Sequence, residues 1–314
     1  MTNARGLTEA ALLTGLSVVL YLGANFIPVL GIGLIFLSPV PLVILEMRHD
    51  LKTGFVSLIV GSLLAMLVSG PVSALSYAFG FALMALALGR IIELKTNAIE
   101  IIGWGSLVSL ACKLALAVIM FYVTGINPMN LDMPSVQKAL DWVGTLPGIT
   151  ITPEVRAQFE QMFRMVPLII PAIFIMAAVM DCMICYWVSG KVIKRLSHIE
   201  LPKLPPFTQW RFPSSVLWAF AACIICSLLG QYYPQQMAIL TRAALNVTLL
   251  VQYLFVLQGL SFIAWWLESK GITGFGRNMI LALAFFMPLL SQLTTYTGMF
   301  DMCFNFRARI GRRR

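Results

Sequence analysis

Charge is what this sequence has least of. Only 11% of its 314 residues are Asp, Glu, Lys or Arg, while 59% are hydrophobic. A soluble domain of this length carries about 25% charged residues. This chain therefore cannot coat a water-facing surface, and lipid must be the solvent for most of it. Histidine is nearly missing as well. His49 and His198 are the only two, and both fall between apolar runs, which excludes a histidine-based triad within the membrane. No P-loop and no G-x-G-x-x-G occurs, so the chain hydrolyses no ATP unaided. Gly271, Gly274 and Gly276, ahead of Arg277, read as a flexible helix connector. These absences argue against an enzyme and call for no cofactor.

Apolar runs of membrane-crossing length are what the chain does have. With a mean hydropathy of +0.87, it reads as an all-α, polytopic transmembrane helix bundle. A crossing needs about 20 apolar residues. The candidates are residues 7–27, 30–45, 55–68, 72–88, 98–123, 166–189, 213–229 and 239–267. The second and third are short and hold the breakers Pro39, Pro41, Gly54 and Gly61, so they are expected to tilt or to line a cavity. Arg5 precedes the first run, but that run exceeds a secretory signal's apolar core and many spans follow, so it reads as a retained helix. The longest polar interval, 125–165, is too short for a stable core of its own. A single integral membrane domain over 1–314 is expected.

Lys and Arg counts orient the bundle. With the N-terminus inside, the inner segments hold Arg5, Arg48, Lys52, Arg90, Lys95, Lys191, Lys194, Arg195, Lys203, Arg211, Lys270 and Arg277. Short outer loops hold none, and the long outer segment has Lys138, Arg156 and Arg164. This is the positive-inside pattern of a cytoplasmic membrane protein. It also accounts for the net charge of +9 without nucleic acid. The tail conflicts with a ninth span, because Arg307, Arg309, Arg312, Arg313 and Arg314 would then lie outside. About eight spans plus a C-terminal re-entrant or interfacial helical pair over 278–306, broken at Pro288, is the expectation. Nine spans with an outer tail is the alternative. The outer segment should be ordered and lid-like, with helices starting at Pro134 and Pro153.

Ionisable residues inside spans are costly and are functional candidates by default. Lys113 lies about 22 Å and Asp181 about 14 Å above the cytoplasmic helix ends at 1.5 Å per residue. A lysine side chain spans most of that gap, and pairing would neutralise both charges. Such a pair is either a structural clasp or a polar anchor for a ligand. Arg242 and Asn246, one turn apart, share a helix face and are further ligand candidates. Arg242 snorkelling to headgroups is the plainer reading. Gln252 and Gln258 are suited to hydrogen bonds between helices. Glu9 belongs at the N-terminal interface. Of the six cysteines, Cys182 with Cys185 and Cys223 with Cys226 form CxxC pairs. Both lie inside spans at different depths, so they read as packing residues and not as a metal site.

Five blocks then read together: RGLTEAALLTGLSVVLYLG from Arg5, SPVPLVILEMRHDLKTG from Ser38, FTQWRFPSS from Phe207, LFVLQGLSFIAWWLE from Leu254 and TGMFDMCFNFRAR from Thr297. In order and spacing they resemble the YybS-like family of uncharacterised bacterial membrane proteins over nearly the whole chain. The first six helices, 1–190, also resemble the substrate-binding subunits of energy-coupling-factor vitamin transporters. In those subunits, small residues at four-residue spacing on the first helix dock a coupling protein. That resemblance implies docking at Ala11 and Gly15, a coupling protein and ATPase subunits as partners, and a small hydrophilic metabolite as ligand. The chain departs from it in the additional helices over 213–306 and in the length of 125–165. A non-transport scaffold in envelope synthesis or division, docking through the basic inner loop from Lys191 to Arg211, is the competing expectation. A lipid-modifying enzyme fits least, since the outer face lacks clustered Asp, Glu or His.

Overall fold

Helices form wherever an apolar run is bounded by residues that cap or break it. The computed structural model describes residues 4–26, 28–125, 133–144, 152–197, 200–233 and 235–307, and among these every regular element is helical. They are α1 (Ala4–Phe26), α2 (Pro28–Leu37), α3 (Val40–Arg48), α4 (Leu51–Ser69), α5 (Pro71–Tyr77), α6 (Leu83–Leu94), α7 (Ala98–Thr124), α8 (Met133–Gly144), α9 (Pro153–Ser197), α10 (Ser215–Tyr232), α11 (Ala238–Ser269), α12 (Gly274–Phe286) and α13 (Pro288–Phe304). A π-helical turn (Ala78–Ala82) joins α5 to α6, and a 3-10 turn (Phe207–Gln209) precedes α10. Asp50 caps α4 by accepting from the Thr53 amide, and Asn97 caps α7 by accepting from that of Ile99. These short polar side chains satisfy amides that a helix start leaves open. His198 and the arginines after Arg307 lie outside the described residues.

Among the described residues, seven helices are long and apolar enough to cross a membrane: Ala4–Phe26, Leu51–Ser69, Pro71–Leu94, Ala98–Thr124, Met165–Leu196, Ser215–Tyr232 and Ala238–Ser269. The run at 30–45 differs from the expected span. It splits into α2 and α3 at Ser38–Pro39, because Pro39 and Pro41 remove amides the ladder needs. The freed backbone is satisfied from the middle of α1. Ser17 Oγ lies 2.8 Å from Ser38 O, Ser38 Oγ donates to Ser17 O at 3.2 Å, and Tyr77 Oη is 2.9 Å from Ser17 Oγ. Tyr77 reaches this point because Gly61 makes room: a Cβ there would sit 2.7 Å from its ring.

By contact, the chain falls into two compact units, Met1–Arg156 with Ile173–Leu204, and Ala157–Ala172 with Pro205–Arg314. In the first unit, Leu42, Val43, Leu45, Tyr77, Met84, Leu88 and Ile101 are fully buried at the centre. In the second, α13 lies against α11 with backbone nearly touching backbone. A Cβ on Gly298 would fall 1.9 Å from Phe255 O, and one on Gly259 2.0 Å from Thr294 O. Small residues allow such approach between membrane helices. The C-terminal pair α12 and α13 is bent by 99° at Met287–Pro288, where proline interrupts the ladder.

Candidate functional site

Lys113 and Asp181 come together in the first unit. On α7, Ile102, Ser106, Ser109 and Lys113 recur at three and four residues and so share one face. Glycine brings that face close to α9: a Cβ at Gly105 would lie 2.5 Å from Cys182 Sγ. Cys182 donates to Ile102 O at 3.6 Å, completing the approach. Lys113 Nζ then sits 2.5 Å from Asp181 Oδ2 and 2.9 Å from Ser109 Oγ. The lysine and aspartate side chains keep 16% and 14% of their surface exposed, so the pair is largely but not wholly enclosed.

This arrangement leaves hydrogen-bonding capacity over. An ammonium has three donors and a carboxylate two acceptor oxygens. Asp181 and Ser109 use two of the donors, and Asp181 Oδ1 accepts no hydrogen bond among the described residues. One turn from Ser109, Ser106 Oγ is buried and has the Cys182 thiol beside it. A spare donor and a spare acceptor thus lie on one stripe with a buried hydroxyl. Together they match a small molecule carrying both polar signs.

Asn246 has another engagement. Its Oδ1 accepts from the Ala172 amide at 2.9 Å and its Nδ2 donates to Leu168 O at 2.8 Å. In an unbroken helix those two backbone groups would bond to each other. Pro167 and Pro171 strain α9 at this point, and the carboxamide bridges the opened turn. Arg242, one turn earlier, is exposed, and its carbonyl accepts from Asn246 Nδ2 at 2.9 Å. On α1, Ala11 is exposed and a Cβ at Gly15 would meet nothing within 4 Å. This small-residue face is not covered by any described part of the chain. Cys182, Cys185 and Cys223 are buried, and no three His, Cys, Asp or Glu side chains converge on a metal position among the described residues.

A family model described as "Predicted membrane protein (DUF2232)" matches residues 15–302, from the first half of α1 to the last turn of α13. The chain belongs to the DUF2232 family. It is similar to the "Uncharacterized protein YybS" of Bacillus subtilis (strain 168), at 27% identity over 317 residues, covering 99% of this chain and all of that protein. No solved structure matches. DUF2232 membership establishes a multi-pass membrane protein, and the resemblance to YybS-like proteins holds over the full chain.

Two polar centres of this DUF2232 member lie outside the candidate ligand residues, although Gln258 was expected to hydrogen-bond between helices. In the second unit, Gln258 Nε2 donates to Asp301 Oδ2 at 2.6 Å, and its Oε1 accepts from the Phe212 amide at 3.1 Å. Arg307 Nε is 3.3 Å from Asp301 Oδ2, and Arg307 also donates to Thr208 O at 2.6 Å and to Ser261 Oγ at 3.0 Å. Ser261 Oγ lies 2.6 Å from Phe207 O. This buried network fastens residues 207–212 to α11 and α13, and sets the end of α13 on the same face of its unit as the connection into α10. An aspartate within an apolar stretch, six residues before an arginine, was the available signal. Gln252, by contrast, is exposed. The other centre is Glu46, in the first unit.

Around these centres the ion pairs are more exposed. Glu9 pairs with Arg48, Arg90 with Glu93 at 2.5 Å, and Asp141 with Arg156 between α8 and the start of α9. At the end of α9, Lys194 and, beyond it, Lys203 bind Glu200 at 2.6 and 2.7 Å and hold its carboxyl down to about 2.

Proposed function

We propose that the protein is the substrate-binding subunit of an uptake system for a small hydrophilic metabolite, of the energy-coupling-factor type, with Lys113 and Asp181 as its polar anchor. The observation that carries this reading is the Lys113–Asp181–Ser109 cluster, an ion pair within membrane-crossing helices that keeps an unused donor and acceptor. Polar groups at that depth are expensive and are found where a substrate or ion is handled. The uncovered Ala11 and Gly15 face supports a coupling-protein contact, and ATPase subunits would supply the energy this chain does not. In the same reading the N-terminus and the end of α13 face the cytoplasm, as the lysine and arginine asymmetry requires.

The competing scaffold function would use the basic segment from Lys191 to Arg211. Lys194 and Lys203 there already share Glu200, which reduces the charge left to attract a partner. The test is gentle purification followed by mass spectrometry of bound small molecules and proteins. A metabolite retained by the wild type and lost in Lys113→Met and Asp181→Asn supports the proposal. Wild-type protein that carries neither a metabolite nor a coupling protein refutes it in favour of the scaffold.

A further inference from the structure

Glu46 occupies a place where a carboxylate is hard to keep. It lies in the last turn of α3, just past the apolar stretch that ends at Leu45, and is only 2% exposed. Two helices have given up side chains to make its slot. A Cβ on Gly54 of α4 would fall 2.2 Å from Glu46 Oε2, and one on Gly89 of α6 would fall 2.8 Å from Glu46 Cβ. Leu86 closes the slot beside Gly54. Among the described residues, the carboxyl has no hydrogen bond and no ion pair within 4.0 Å.

The surrounding charges do not rescue it. From α6, Arg90 faces the group but is paired with Glu93 at 2.5 Å, and Glu93 itself adds like charge. At the α3–α4 turn, Asp50 adds more, while Lys52 is exposed. On α3, Arg48 is paired with Glu9 of α1, and His49 Nε2 lies 3.6 Å from the same carboxylate. Arg5 is exposed a turn earlier on α1, and Lys194 of α9 is bound to Glu200. The C-terminal end of α3 presents carbonyl oxygens, which disfavour an anion. An isolated carboxylate in such surroundings takes up a proton rather than remain charged. A metal ion fits less well. Hard divalent cations take six or more oxygens, and no three acidic, His or Cys side chains converge among the described residues.

We propose that Glu46 is a proton-binding site, a carboxyl that keeps its proton above the ordinary carboxyl range and exchanges it with the aqueous face at the α3–α4 turn. Asp50 is exposed at that turn, so the turn itself meets water. The inference is independent of the ligand role given to Lys113 and Asp181. It adds proton binding to whatever this domain carries.

Infrared difference spectroscopy of the detergent-solubilised full chain tests it. The wild type should show a protonated-carboxyl stretching band that persists above the ordinary carboxyl range, shifts on transfer to D2O and is missing in Glu46→Gln. If Glu46→Gln does not fold, Glu46→Asp should move the band instead. A missing band, a band unshifted in D2O, or one unchanged in the variant overturns the proposal. Thermal unfolding gives a second reading. An acid whose proton is held more tightly in the folded state stabilises fully below the ordinary carboxyl range and loses that contribution as pH rises. Wild-type Tm should therefore fall relative to Glu46→Gln as pH rises through and above the ordinary carboxyl range, and parallel profiles would refute the site.

Discussion

Removing one member of the Lys113–Asp181 pair should cost far more than removing both. The two side chains are 2.5 Å apart and no more than 16% exposed, so solvent screens them weakly. Losing one partner of an enclosed pair leaves an uncompensated charge, typically at about 3–5 kcal/mol. Two features place Lys113→Ala and Asp181→Ala near the lower end, at about 3 kcal/mol each. Lys113 retains Ser109 Oγ, and each side chain keeps some surface through which water can reach a stranded charge. The double variant carries no stranded charge, and a coupling of about 2–3 kcal/mol is expected in the cycle. Reversible unfolding in mixed micelles, by denaturant titration of all four proteins, reads that coupling directly. Single losses that add to within about 0.5 kcal/mol would show that the two groups do not interact. A Lys113→Met, Asp181→Leu variant sharpens the point. Apolar replacement of a whole enclosed pair is often neutral for stability, so a stable variant that retains no metabolite would separate the anchor from the clasp.

Asn246→Leu should destabilise by about 1–2 kcal/mol, because it strands the Ala172 amide and Leu168 carbonyl, while Arg242→Ala should stay within about 0.5 kcal/mol; thermal shifts compare the two. Arg307→Ala leaves Asp301 enclosed with Gln258 alone and should cost about 3 kcal/mol, with residues 207–212 released and trypsin cutting faster after Arg211. Gly298→Ala forces a methyl against Phe255 O and should lower stability by at least about 1–3 kcal/mol, seen as earlier thermal aggregation. Ala11→Trp and Gly15→Leu should stay monodisperse on size exclusion, because nothing described lies over Gly15, yet lose any coupling protein that co-purifies with the wild type. Unfolding of both would show that this face packs internally.

Much of the architecture was legible before any coordinates. Apolar length dictates helices because lipid leaves a backbone no other way to satisfy itself, and proline marks where those helices break. The meeting of Lys113 and Asp181 was legible for the same reason, since two lone charges of opposite sign in one bilayer stabilise each other whatever the details of packing. Tertiary structure decided the rest. Asn246 read as a ligand candidate on one face with Arg242 by spacing along α11, but spacing carries no information about a proline-strained turn on another helix that needs both ends of its carboxamide. Glu46 gave no signal in the sequence, because Gly54 and Gly89 of two other helices wall it in, and burial depends on which helices come alongside. Arg307 read as one charge in a basic tail, and only the return of α13 along α11 brings it to Asp301 and Thr208. Local sequence controls periodicity and the cost of charge in lipid, whereas long-range contact determines which polar group meets which, and so where the chemistry of this protein can reside.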